Sequence, residues 1–236
     1  MSLRPQAVIF DLDGTLVDSA PGIEFASQSA WTKILPDQTC PAMRPLMGPP
    51  IYEMFRQALP TASSGMLAEL ECSFSEAYDG GGWKKAVPYS GVPEALQALK
   101  EHGVRCLGVT NKPALPTQRI LAHCGLERSF EVFLSPDSRQ PVFASKSAAL
   151  QALLEEWSID PRSGCFIGDT VDDALAARAC RVAFIAYSGG YGWTGLCAEL
   201  PGVEMFDDFP ALPALLLGRR MPVEWPAQPA PTTMKL

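Results

Sequence analysis

The stretch 7–19, AVIFDLDGTLVDS, constrains this chain more than any other. Its apolar residues Ala7, Val8, Ile9 and Phe10 have strand character and run straight into Asp11, Leu12, Asp13, Gly14 and Thr15. Two carboxylates therefore fall where a buried strand meets a loop. Burying an uncompensated carboxylate costs several kcal/mol in desolvation, so a pair this close calls for a cation or a chemical use. In open α/β sheets ligands bind outside the carboxyl ends of the strands, so position and chemistry agree. A strand entering an ordinary Asp/Gly turn accounts for the same five residues equally well, and the rest of the chain must decide.

The 236 residues suffice for one large domain or two unequal ones, and a hydrophobic content of 47% supports a core without staples. A charged fraction of 19%, a net charge of -7 and a pI of about 4.9 argue against a nucleic-acid-binding surface. Phosphate would then be held by local donors and a metal. The cysteines Cys40, Cys72, Cys106, Cys124, Cys165, Cys180 and Cys197 form an odd set without a CxxC pair, mostly in apolar surroundings. Reduced thiols and a cytoplasmic compartment are expected. No apolar run approaches the roughly 18 residues of a spanning helix, and the first strand comes too early for a signal peptide, so no membrane partner is expected.

After Thr15 the pattern turns helical. Ile23, Ala26, Ala30 and Ile34 predict an amphipathic helix over 20–35, with Ser19 as N-cap and Pro21 in the first turn. Ile51, Met54, Phe55 and Leu59 predict a second, 63–78 a third, and Asp79, Gly80, Gly81 and Gly82 a flexible breaker. From Pro88 helix and strand alternate: helices over 91–102, 116–124, 145–157, 171–180 and 209–217, strands over 104–110, 131–134, 164–168 and 182–186. Such alternation predicts an α/β fold, a Rossmann-like doubly wound parallel sheet with helices on both faces. The first strand has no partner until the helical segment has passed. The core is therefore expected over 1–15 and 87–218, an inserted all-helical cap over 16–86, and a Pro-rich tail over 219–236.

In a parallel sheet the loops after successive strands converge on one edge. The first strand delivers Asp11 and Asp13, the strand over 104–110 delivers Thr110, Asn111 and Lys112, and 164–168 delivers Asp169, Thr170, Asp172 and Asp173. Lys146 opens a helix nearby. Acidic groups, a hydroxyl and an amine at consecutive strand ends suit a hard cation such as Mg2+ together with phosphate. Each has a plainer account: Thr110 and Asn111 as a turn before Pro113, Lys146 as a solvated lysine, 169–173 as a helix N-cap with acids complementing the dipole. His102 and His123 precede glycines at helix ends, where capping explains them.

These residues resemble the motifs of the haloacid dehalogenase superfamily of aspartate-nucleophile phosphohydrolases. The first motif, DxDGT, is similar to 11–15; the second, Thr or Ser at a strand end, to Thr110; the third, a Lys, to Lys146; the fourth, GDxxxD, to 168–173. The insert resembles the family's small helical cap. The phrases DLDGTLVDS, PYSGVPEAL and VTNKP resemble the phosphoglycolate phosphatase branch in particular. The resemblance implies a Mg2+-dependent phosphatase acting on a small phosphorylated metabolite, phosphoglycolate-like, through an aspartyl-phosphate. It further implies Asp11 as nucleophile, Asp13 as acid and base, and Thr110 and Lys146 as phosphoryl-binding catalytic groups. Metal would be held by Asp11, the backbone carbonyl of Asp13 and Asp169, with Asp173 behind them. Thr15 and Asn111 would support the substrate, and Arg44 in the cap would meet a substrate carboxylate. A phosphomutase of the same superfamily and a non-catalytic phosphate-binding or interaction protein are the alternatives. A dehalogenase attacking carbon has no use for Asp13 or the metal carboxylates. Ser147 stands where family members commonly carry Pro, and Arg181 where they tend to carry a Gly that permits a left-handed helix stop. Arg181 is expected to end its helix by another route.

Overall fold

A computed structural model describes residues 4–200 and 202–218. The tail expected over 219–236 lies outside the described residues. In chain order the elements are β1 (Ala7–Phe10), β2 (Val17–Asp18), α1 (Ala20–Ile34), α2 (Ile51–Ala58), α3 (Ser64–Gly80), β3 (Val87–Pro88), α4 (Val92–Glu101), β4 (Arg105–Val109) and α5 (Ala114–His123). They continue with β5 (Phe133–Leu134), α6 (Lys146–Glu156), β6 (Gly164–Gly168), α7 (Val171–Ala179), β7 (Ala183–Tyr187), α8 (Trp193–Glu199), β8 (Met205–Phe206) and α9 (Leu212–Leu217).

The sheet has six strands in the order β5-β4-β1-β6-β7-β8, and every pairing is parallel. Because side chains alternate along a strand, β1 sends Val8 and Phe10 into one apolar core and Ala7 and Ile9 into the other. The first core is closed by α4, α5 and α9, through residues such as Leu96, Ile120 and Leu212; the second by α6 and α7, through Leu150, Leu153 and Ala177. This is the doubly wound arrangement, and it explains why the strands are apolar on both faces. The chain leaves β1 toward β4 and β5, then crosses back to β6 on β1's other side, so the strand order reverses at β1. The crevice at its carboxyl end is where such sheets bind ligands.

The insert forms its own apolar cluster from α1, α2 and α3, centred on Trp31, Phe55, Leu70 and Tyr78. Ser63 caps α3 by accepting a hydrogen bond from the Met66 N–H at 3.2 Å. The two chain passages between core and insert run side by side: β2 and β3 pair antiparallel, Val17 opposite Pro88 and Asp18 opposite Val87. The helix of the insert persists through Asp79 and Gly80, where the glycine cluster had suggested a break. Packing of Tyr78 into the cap core overrides the local preference. Strand β8 and helix α8 were not foreseen, because 188–206 has neither a helical nor a strand period. Among the described residues no helix is long and apolar enough to cross a membrane.

Arg181 corrects an expectation. It takes the left-handed conformation itself, at φ 57, and its N–H bonds to the Arg178 carbonyl at 3.1 Å, so the helix ends as a glycine would end it. A side chain in that region is strained. Arg181→Gly should therefore raise the unfolding free energy by roughly 0.5–1 kcal/mol. Urea unfolding would read this as a higher midpoint at unchanged slope; a midpoint that stays or falls shows that no strain is stored there.

Candidate active site

Strand β1 keeps its ladder one residue past its end, the Asp11 N–H donating to the Ile167 carbonyl at 2.9 Å. That bond fixes Asp11, 4% exposed, at the floor of the crevice. The chain then turns tightly, with the Leu16 N–H on the Leu12 carbonyl and the Gly14 N–H on Val17, both at 2.9 Å. Gly14 has φ +84 and lies so close to the Asp169 carboxylate that a Cβ would collide with it. Both facts demand glycine. Opposite, β6 delivers Asp169, which is wholly buried and is gripped by the Thr15 hydroxyl at 3.1 Å and the Gly192 N–H at 2.9 Å.

Helix α7 begins two residues beyond Asp169, behind a capping box. The Thr170 hydroxyl accepts from the Asp173 N–H at 3.2 Å, while Asp173 Oδ2 accepts from the Thr170 N–H at 3.0 Å and its hydroxyl at 2.6 Å. The other oxygen, Oδ1, accepts from Lys146 Nζ at 2.5 Å. The same ammonium donates to Asp11 Oδ1 at 2.7 Å. So the N-cap account of 169–173 and the site account are both true, and Asp173 serves both. Lys146, 5% exposed at the first turn of α6, is brought to the strand edge by that helix's N-terminus. Ser147 does not disturb this, since Ser145 caps the helix by accepting from the Ala148 N–H at 3.1 Å.

From the end of β4, Thr110 is 3% exposed and accepts from the Lys112 N–H at 3.1 Å, leaving its hydroxyl hydrogen free to donate. Lys112 Nζ reaches across to both oxygens of Asp13, at 3.1 and 2.8 Å, and sits 4.8 Å from the centre of the Tyr78 ring in the cap. Asn111 lines the cavity as well and donates to Asp172 Oδ2 on α7 at 2.8 Å. Thr15 is completely buried behind Asp169, so its hydroxyl orients that carboxylate and does not line the crevice. Arg44 lies on a short helical turn of the cap, 3.7 Å from Asp18 Oδ2 and 3.6 Å from Glu24 Oε1, outside the set of residues that line the cavity. Asp11, Asp13, Thr110 and Lys146 do line it.

The profile of the haloacid dehalogenase-like hydrolases matches residues 8–187. The chain belongs to that family. It is 33% identical over 224 residues to a phosphoglycolate phosphatase of Psychrobacter arcticus, spanning 90% of this chain and 96% of that protein. A phosphoglycolate phosphatase of Rhodobacter capsulatus is 32% identical over 228 residues, at 90% and 97% coverage. Among solved structures, a predicted phosphoglycolate phosphatase of Haemophilus somnus superposes with a TM-score of 0.78 at 24% identity, over 89% of this chain and 97% of that one.

Within this hydrolase fold, Asp11, Asp169 and Asp173 bring carboxylate oxygens within 4.8 Å of one another, all buried. One ammonium, Lys146, faces the three. Two carboxylates draw on Lys146 directly, and their pull outweighs its burial and keeps it charged. At Asp11 the balance goes the other way: burial outweighs Lys146, with Asp173 adding repulsion, and the carboxyl is pushed up to about 7. Burial likewise drives Asp169 upward, reinforced by Asp173 and Asp11. A hard divalent cation suits this oxygen set, since it would restore the charged forms. The buried aspartate cluster is that of a phosphohydrolase of this family.

Sequence reasoning missed two contributors. Lys112 was seen as part of a strand-end group, but nothing in its spacing announced Asp13 as its partner. The Gly192 N–H has no side-chain signature at all; only the glycines of the loop 188–192 hinted that backbone would approach closely, and a Cβ at Gly190 would strike Asp169.

Metal-free protein offers a direct check of this electrostatics. Folded Asp11 holds its proton up to about 7, against 3.8 for the free group, so between those values the folded state binds the extra proton and stability falls as pH rises. In EDTA, Asp11→Asn should remove much of that decline, a few kcal/mol at most between about pH 4 and about pH 7. Parallel stability curves for wild type and variant would contradict it.

Proposed function

We propose that this protein is a Mg2+-dependent phosphatase that hydrolyses phosphate monoesters of small metabolites through an aspartyl-phosphate. The observation that carries the proposal is the bond from Lys146 to Asp11, which aims a buried carboxylate into a crevice beside a second, cation-held carboxylate, Asp13. A phosphatase needs that pairing; a binding module does not. Phosphoglycolate is the substrate named on the relatives, which makes it the first ester to test.

In this scheme Asp13 enters the reaction protonated; an Asp11 oxygen attacks phosphorus, and as the bond to the leaving oxygen breaks Asp13 gives that oxygen its proton, which makes the product an alcohol. Asp13, now a base, takes a proton from water as the water oxygen attacks the same phosphorus, which frees inorganic phosphate and restores the Asp11 carboxylate. Lys146 and the Thr110 hydroxyl meet the equatorial phosphoryl oxygens, where charge is spread in the transition state. Lys112 orients Asp13 toward the leaving oxygen. Asp11 and Asp169, with the Asp13 carbonyl, would hold Mg2+, and Asp173 acts on the set through Lys146. When bound, the metal screens the repulsion between Asp11 and the phosphate. The cap covers the crevice and sheds bulk water. The seven cysteines are thiols, which fits a reducing, cytoplasmic compartment.

Release of inorganic phosphate from a panel of small esters tests the proposal. Turnover should require Mg2+, fall at least about a thousand-fold in Asp11→Asn, and fall about a hundred-fold or more in Lys146→Met. Turnover that survives EDTA or the loss of Asp11, in folded protein, would refute it.

A further inference from the structure

Resting on the phosphatase reading, we propose that the alcohol half of the substrate is apolar, larger than glycolate and free of carboxylate. Between the crevice and the cap lies a half-open cavity of about 420 Å³. That lies within the range of about 300–1,000 Å³ of pockets that hold drug-sized ligands, far more than a two-carbon acid fills. Beyond the phosphate-sized end, marked by Asp11, Thr110 and Lys146, the walls are mostly hydrocarbon, with Met47, Pro50, Ile51, Met54 and Phe74 from the cap and Leu115 from α5; Ser75 is a neutral polar side chain among them. Leu115 is 50% exposed, an apolar side chain left open at the cavity instead of packed in a core. An apolar leaving group would cover these surfaces, and a hydrated one would gain nothing from them.

The charges of the cavity point the same way. Among the described residues that line it, the cations are Lys112 and Lys146, and both are committed, Lys112 to Asp13 and Lys146 to Asp11 and Asp173. The acids on the cap side are Glu71 and Asp79, the second held by Arg119 at 3.2 Å. A substrate carboxylate placed there would meet hydrocarbon, negative charge and neutral side chains such as Ser75, with no uncommitted cation among the described lining residues. Arg44, the expected partner, is engaged with Asp18 and Glu24 off the cavity wall. The cap thus selects by burying hydrocarbon and by repelling acids.

The test compares phosphoglycolate with isobutyl phosphate, its isostere without the carboxylate, and with ethyl, propyl and butyl phosphates, on the Mg2+-loaded enzyme. kcat/KM should rise about four-fold per added methylene, and isobutyl phosphate should exceed phosphoglycolate at least about ten-fold. Glu71→Lys should narrow that gap about ten-fold by supplying the missing cation. In parallel, calorimetry on Asp11→Asn with Mg2+ compares isopentylphosphonate with 3-phosphonopropionate, the former expected to bind the more tightly. Equal or better handling of the carboxylate compounds, with Asp11-dependent turnover, overturns the apolar assignment and leaves the phosphatase standing. Absent turnover with the phosphonate preference intact supports the apolar cavity and overturns the phosphatase reading alone.

Discussion

Three buried carboxylates share one buried ammonium, and the rest of the molecule is arranged around that imbalance. Asp11, Asp169 and Asp173 come from two adjacent strand ends, and Lys146 bridges Asp11 and Asp173 at 2.7 and 2.5 Å. Removing Lys146 from such a buried set costs about 3–5 kcal/mol because the carboxylate charge is stranded. The set therefore persists only because its neighbours leave no freedom. The β1–β6 ladder fixes the spacing of Asp11 and Asp169, the capping box clamps Asp173, and Thr15 and Gly192 hold Asp169. A site tuned to accept a divalent cation is one whose anions are already in place and under-compensated.

The second carboxylate of the first motif is treated differently. Asp13 stays at the cavity, its partner Lys112 reaches it from the next strand, and the cap ring of Tyr78 covers that lysine. One cation thus touches both layers of the protein at the group assigned to proton transfer. The paired passages β2 and β3, together with the Ser19 to Tyr191 hydroxyl contact at 3.0 Å, bind the cap's entry to the same region.

Much of this was legible in the sequence because each strand ends in an abrupt change from apolar to polar residues. AVIF to DLDGT, CLGV to TNK and CFIG to DT mark β1, β4 and β6, and the parallel order brings their ends together. Lys146 could not be placed that way, since it starts a helix and follows no strand; its position depends on how α6 packs. Thr15 and Asn111 were legible as polar neighbours but not in their partners, because a hydrogen bond to Asp169 or Asp172 depends on side-chain direction. Arg44 illustrates the same limit across domains: a cap arginine two short elements away from the core can face substrate or its own acidic neighbours, and Asp18 and Glu24 lie within 3.7 Å. The segment 188–206 was silent because its work is done by backbone and glycine, and such residues leave no periodicity.

The central claim is that Asp11 carries the phosphoryl group. Rapid acid quench of Asp13→Asn with radiolabelled 4-nitrophenyl phosphate tests it most directly, since that leaving group needs little protonation and the missing base slows the second step. The account predicts near-stoichiometric label that is lost to hydroxylamine and maps to the peptide bearing Asp11. Label on another residue, or rapid turnover with no covalent label at any time point, would contradict it.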